Sequence, residues 1–237
     1  MASKENGNGE SIDWAGWIPV FPLPNVVLMP RQILPLHVFE PRYRAMTRHA
    51  LAGNRLIAIS LLRSGYEPFY HTLDAPIHPT VGVGRIMKEE RLPDGRYNFL
   101  LQGVTRAVIN AEDKTLEYRR AKLKPMDAEF VAPEVECAYR SNLRRLLTEP
   151  PLEHLTRQAN WLSLFDCPDL SFSDLLDVLA SAALPCTAEK QLFLEEPRVA
   201  KRAQRLCATL EVLGEQVQIV QAKACRPRAW PPDSCSN

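Results

Sequence analysis

Two hydrophobic periods divide the chain, and they change over near Pro125 to Pro133. Before that stretch, apolar residues come in short runs of branched and aromatic side chains, broken by Pro and Gly. This is the pattern of short strands. The runs predict strands at Val20 to Met29, Ile33 to Phe39, Leu56 to Leu62, Thr80 to Lys88, Tyr97 to Leu101, Thr105 to Ala111 and Tyr118 to Leu123. Pro93-Asp94-Gly95 between two of them is a hairpin turn. One helix interrupts the strands. Pro41 suits its first position, Tyr43, Met46, Ala50 and Leu51 form its apolar face, and Gly53-Asn54 ends it. Pro22, Pro24, Pro30 and Pro35 chop the opening ribbon into pieces that wrap a core, since proline is tolerated at strand starts, edges and bulges.

After Pro133 the apolar positions recur at three and four, which predicts helices. Glu134 to Leu147 carries Val135, Tyr139, Leu143 and Leu146, and Leu152, Leu155, Ala159 and Leu162 follow Pro150-Pro151. Ser171 is a good N-cap for a helix bearing Phe172, Leu175, Leu176 and Leu179 that stops at Pro185. Thr187 caps a short helix through Leu194. The last helix, from Pro197, holds Val199, Ala203, Leu206, Leu210, Leu213, Val217 and Val220 at alternating steps of four and three, a heptad seam. Packing on its own bundle is the simpler use of that seam. Pairing with a second chain through Leu213, Val217 and Val220 is the sharper one.

The expected class is therefore α+β, a β-rich pseudo-barrel followed by a helical bundle with a long last helix. The expected boundaries are a flexible tail at 1–16, the barrel at 17–127, the helical part at 128–225 and a second tail at 226–237. With 237 residues there is room for one large domain or two modest ones, and 46% apolar with 24% charged residues is an ordinary soluble composition.

Charge and chemistry narrow the function. The formal net charge is +1, so no global basic field draws nucleic acid or anionic lipid. Arg42, Arg44 and Arg48, or Arg140, Arg144 and Arg145, could still make a local patch, which keeps RNA binding as an alternative. The N-terminus lacks the apolar core of a signal peptide, and no apolar run approaches a bilayer span; Leu175 to Pro185 is short and carries Asp177. The reading is a soluble, cytoplasmic protein without membrane contact. Six cysteines lack paired spacing, and three of them sit in apolar helical patterns as small core residues.

Enzyme signatures fail. No phosphate loop, nucleophile elbow or His-Glu-x-x-His is present, and Gly82-Val83-Gly84, followed by Arg85, reads as a strand bulge rather than a dinucleotide site. His71, His78 and Asp74 share a loop without a third short-spaced ligand, so surface histidines explain them better than a metal. The expectation is no catalytic residue, no cofactor and no metal, with a hydrolase of unrecognised site as the remaining enzymatic alternative. The long connection Arg63 to Thr80 is the candidate contact surface. Its Tyr66, Phe69 and Tyr70 are the kind of aromatics that anchor interfaces, and they equally suit a lid on the barrel. Glu40 and Arg42 read as a charge arrangement at a helix end.

The segment Phe21 to Tyr43, FPLPNVVLMPRQILPLHVFEPRY, resembles the opening of the Lon protease N-terminal, substrate-binding domain family, closest to its stand-alone bacterial type. Val81 to Ile86, Asp94-Gly95-Arg96 and Gly103-Val104-Thr105-Arg106 resemble later steps of the family. Phe172 to Leu179, Leu184-Pro185, Lys190-Gln191 and Glu195 to Leu210 resemble its helical half. One departure is Arg31, where the family often has Gly. The resemblance implies a PUA-like pseudo-barrel with a helical bundle, and a non-catalytic role in recognising protein or unfolded polypeptide, as an adaptor, since no Walker motif or peptidase segment follows. Gly103 and Arg106 are then expected to serve folding.

Overall fold

The computed structural model describes residues 12–153 and 161–224 of the chain. Six strands come first: β1 (Ile18–Leu23), β2 (Ile33–Val38), β3 (Leu56–Leu61), β4 (Thr80–Arg91), β5 (Tyr97–Asp113) and β6 (Arg119–Pro125), with helix α1 (Pro41–Ala52) between β2 and β3. Helices α2 (Pro133–Thr148), α3 (Leu162–Phe165), α4 (Phe172–Ala183), α5 (Thr187–Glu195) and α6 (Val199–Ala224) follow. The class is α+β, as the two periods imply. Much of the expected helix from Leu152 to Leu162, His154, Cys225, Cys235 and both chain ends lie outside the described residues.

The sheet order is β2-β5-β4-β3-β1-β6, and β5 also pairs with β6. That second pairing closes a five-stranded ring and leaves β2 as an appended edge. Closure depends on β5, a strand of 17 residues. Its first part pairs with β2 and β4, and its last part, Ala107 to Asp113, with β6. Register shifts at Val83/Gly84, Ile86/Lys88 and Ile109/Ala111 supply the bends that a closing sheet needs. The bulge expected at Gly82-Val83-Gly84 is one of these.

The two strands expected at Tyr97 to Leu101 and Thr105 to Ala111 are thus one strand. Gly103 does not break it. A Cβ on Gly103 would fall 2.0 Å from the Met29 carbonyl oxygen, and one on Gly82 would fall 2.0 Å from the Leu28 oxygen. Both glycines exist so that another stretch of backbone can cross them. That stretch corrects a second expectation. β1 ends at Leu23, and Val26 to Met29 is not strand. It leaves the sheet after Pro24 and lies over β4 and β5, with Leu28 and Met29 fully buried. Its return is pinned by Arg31 N–H to the Gly103 carbonyl (2.8 Å) and Gly103 N–H to the Gln32 carbonyl (2.7 Å). Arg31 adopts φ 68°, the left-handed conformation that glycine takes without cost.

Three apolar clusters fill the molecule. One draws Ile18, Val20, Leu56, Ala58, Val81, Val83, Ala107 and Ala121 from all five ring strands and is the ring interior. The opposite face of β3, Ile57 and Ile59, packs with Tyr43, Met46 and Ala50 of α1. The third joins the helices to the barrel: Val27, Met29 and Leu61 sit in one cluster with Leu143, Leu176, Phe193 and Leu206.

Three smaller expectations need correction. Helix α1 does end at Gly53, but the left-handed residue after it is Arg55 (φ 61°), whose guanidinium binds Glu89 and the Ile86 carbonyl. The cap of α5 is Cys186, with Thr187 its first residue. Of the described cysteines, only Cys207 is buried; Cys137, Cys167 and Cys186 sit on the solvent faces. An apolar helical pattern fixes the stripe, not the membership of every small residue near it.

Candidate functional site

Buried polar chemistry concentrates between barrel and helices. Arg106 on β5 and Arg202 on α6 both bind Asp177 of α4, Arg202 at 2.6 Å. All three side chains are at most 5% exposed. Arg106 also reaches the Phe193, Leu194 and Glu196 carbonyls at 3.3–3.4 Å, at the C-terminal end of α5, where a cation is favourable. Arg202 adds Ser173 Oγ at 2.8 Å. Burial draws the Arg202 guanidinium below its ordinary value, and Asp177 opposes that. Gln191 donates to the Thr80 carbonyl and His78 pairs with Glu195, both across the same joint. Closed to solvent, with only Arg202 Nε left without a partner, the cluster is a joint, in line with a role in folding for Arg106.

The aromatics of the 63–80 connection are only partly tucked in. Glu67–Phe69 forms a single 3-10 turn. Tyr66 and Tyr70 rings lie 5.9 Å apart and are half-buried, while Phe69 is 47% exposed. Arg42 donates to the Tyr70 carbonyl (3.2 Å), pairs with Glu40 (3.0 Å) and stacks over Tyr43. That ties the connection to the start of α1 and makes Glu40–Arg42 the helix-end arrangement expected. Burial pushes the Tyr43 phenol up to about 12, against the pull of Arg42. In the same connection Asp74 pairs with Lys114, so it and His78 turn to separate partners.

On α6 the seam divides. Val199, Ala203, Leu206 and Leu210 are buried against α2 and α4; Leu213 and Val217 are partly buried against the same cluster; Val220 is 66% exposed. Leu213 and Val217 are therefore used within the chain. The basic run on α2 is neutralised: Arg140 by Glu136, Arg144 by Asp166 and Arg145 by Glu149.

A surface that residue patterns alone miss lies on β2. This strand pairs only with β5 among the described residues, so its other edge has no neighbour. Its exposed residues are Ile33, Pro35 and His37, two of them apolar. Ile33 is 58% exposed, Pro35 stands opposite the exposed Leu100 of β5, and Phe39, just past the strand, is 61% exposed with His37 stacked on it. Met87, exposed in the β4 bulge, extends the strip. An open strand edge flanked by apolar side chains suits an extended peptide, because backbone bonds give affinity and alternate side chains find apolar neighbours; Pro35 offers its carbonyl but no N–H, so one rung of any added ladder is missing.

Residues 17–212 match the family model described as the ATP-dependent protease La (LON) substrate-binding domain. The chain belongs to the Lon substrate-binding domain family. A Lon protease of Chloroherpeton thalassium is 29% identical over 216 residues, 90% of this chain but 24% of that protein. The Lon protease of Escherichia coli K12 is 29% identical over 204 residues, 82% of this chain and 24% of that protein. The chain thus spans about a quarter of the length of these curated relatives. In fold it is similar to the N-terminal domain of Mycobacterium avium complex Lon protease, with a TM-score of 0.62 at 17% identity over 83% of this chain and 98% of that one. A Lon N-terminal domain protein from Xanthomonas campestris gives 0.57 at 19% identity, over 81% and 98%. Among the described residues no helix is long and apolar enough to cross a membrane.

Proposed function

We propose that this Lon-type domain is a non-catalytic recognition unit that captures unfolded polypeptide, in an extended conformation, along the open edge of β2, and so serves as an adaptor. The observation that carries the reading is the free edge of β2 with Ile33, Pro35, Leu100 and Phe39 exposed beside it. Family membership supports the same direction, since the matching model is described as a substrate-binding domain. The half-exposed Phe69 and its neighbours at the start of α1 form a second contact for a longer segment.

The test is fluorescence anisotropy with a labelled, reduced and carboxymethylated protein that cannot refold. Ile33→Lys and Leu100→Glu alter exposed side chains, so each leaves the thermal midpoint unchanged and weakens binding by about tenfold or more, the scale of one lost apolar anchor. Binding that survives both changes, or that responds only to Phe69→Ser, would remove β2 as the site.

A further inference from the structure

Most described arginines pair with a carboxylate: Arg31, Arg42, Arg55, Arg106, Arg119 and Arg120 among them. Among the described residues, the side chains of Arg44, Arg48, Arg63 and Arg91 do not. Arg44, Arg48 and Arg91 line one cleft of about 260 Å³, and none of their side chains has an ion pair or hydrogen bond to a described residue. Arg44 and Arg48 stand one turn apart on the same face of α1. Arg91 closes β4, directly opposite Tyr97 in the β4–β5 ladder. Tyr97, Pro41, Gly95 and Glu117 complete the lining. The count inside is three cations against one carboxylate in a protein whose formal net charge is only +1. The other acid on the turn, Asp94, is already held by Arg96 through its backbone N–H (3.0 Å) and side chain (2.6 Å).

The cleft is shaped around its charge. A Cβ on Gly95 would fall 2.1 Å from Arg44 Nη2, and Gly95 has φ 82°. The turn glycine therefore leaves the space that the Arg44 guanidinium occupies beside the turn backbone. Pro41 places the first turn of α1, the positive end of its dipole, at the cleft. Glu40, the residue that caps this end, has its charge offset by Arg42. Three guanidinium groups against the single carboxylate of Glu117 leave an excess of like charge that repels, and an anion in the cleft relieves the repulsion.

We propose that this cleft binds an oligophosphate group. One carboxylate can accept from one guanidinium fork, whereas linked phosphates offer enough oxygens for three forks at once. The volume sits just below the range of about 300 Å³ and upward where small-ligand sites begin, which suits a phosphate chain and excludes a folded partner. The chain can come as free polyphosphate or as the phosphate tail of a nucleotide. The inference goes beyond the polypeptide reading and does not rest on it.

The experiment is isothermal titration of the full chain with tripolyphosphate and, separately, with a nucleoside triphosphate, at about 150 mM salt so that diffuse surface attraction is screened. One saturable site is expected. Arg44→Gln, Arg48→Gln and Arg91→Gln each weaken it by about tenfold, the worth of one charge-assisted contact. Glu117→Gln strengthens it several-fold, by roughly the removal of one like charge. Thermal midpoints without ligand stay unchanged in all four, which separates lost binding from lost folding. Equal affinity for both ligands assigns the site to the phosphate chain alone, and a tighter nucleotide adds contacts from its base and sugar; either supports the proposal. Absence of saturable binding, sulfate binding as tightly as tripolyphosphate, unchanged affinity in Arg44→Gln, or affinity for a single-stranded oligonucleotide that climbs with its length would overturn it.

Discussion

Replacing Asp177 with Asn tests how the two halves are joined. The substitution keeps the size of the side chain and removes one negative charge from a group that is 2% exposed. Two guanidinium groups then remain buried without a counter-charge: Arg106, which keeps only contacts of 3.3–3.4 Å to carbonyls, and Arg202, whose Nε already lacks a hydrogen-bond partner. Breaking a buried pair from one side costs about 3–5 kcal/mol, because the orphaned ion stays desolvated. For a chain of this size each kcal/mol moves the thermal midpoint by about 2–4 °C, so the expected fall is roughly 6–20 °C. Differential scanning calorimetry reads it directly. Salt has little influence, since a buried cluster is poorly screened. Arg106→Met, Asp177→Leu and Arg202→Met combined restore part of the loss, as apolar replacement of a whole ionic cluster often does. A midpoint within about 2 °C of the wild type in Asp177→Asn, less than 1 kcal/mol on that scale, would refute the reasoning, because solvent or a hidden rearrangement would then be supplying the charge balance.

Gly103→Val should fail to fold or lose about 3 kcal/mol or more, since its Cβ already collides with the Met29 oxygen at 2.0 Å; a soluble variant with a wild-type melting curve contradicts the crossing. Arg31→Gly trades a half-exposed ion pair with Asp174 for relief of a left-handed residue, and the balance is a gain of up to about 1 kcal/mol in urea unfolding; a loss of more than that shows the pair to be the stronger element. Glu196 is held at about 2 by its contacts with Arg198, below its ordinary 4.5. A depressed carboxylate binds its proton less tightly when folded, so its contribution is present above pH 4.5 and fades as pH falls towards 2; in Glu196→Gln the acid limb of the stability curve between those values should be shallower, and an unchanged limb counts against it. Gly214→Ala places a methyl 3.4 Å from Pro151 Cγ inside α6, which is ordinary packing, and raises stability by about 0.5–1 kcal/mol through helix propensity; a destabilised variant would mean that Pro151 cannot give.

The type and order of the elements were legible because strand and helix periods differ and proline and glycine punctuate both. The misses share one cause. A sequence reports burial and flexibility but not what a residue is buried against. Val26 to Met29 is apolar enough for a strand, and it is buried, but under a crossing rather than in a ladder. Gly103 looks like a break between strands and is instead the place where the crossing touches β5. Arg31 was visible as a departure from the family's usual glycine. What the letters could not carry is that the left-handed turn survives with arginine in it, held by Asp174 from 143 residues away.

The candidate sites follow the same logic more severely. β2 and β3 are both mostly apolar runs, Ile33 to Val38 with one His and Leu56 to Leu61 with one Ser, and read alike. β3 is buried on both faces because α1 covers one side and the ring encloses the other, while β2 has only β5 beside it and keeps Ile33 and Pro35 in solvent. Topology, not composition, makes one of them a surface. The arginine cleft needs α1 and the end of β4 to meet across a turn, a juxtaposition that follows only once the sheet order is known. One long-range feature did leave a mark: Asp177 stands alone among Leu175, Leu176, Leu179 and Ala180 on the buried face of α4. An acid on such a face must find a cation or lose its charge. Its partners turn out to be Arg106 from the barrel and Arg202 from the last helix, so one carboxylate ties the β-rich half to the last helix at the centre of their joint.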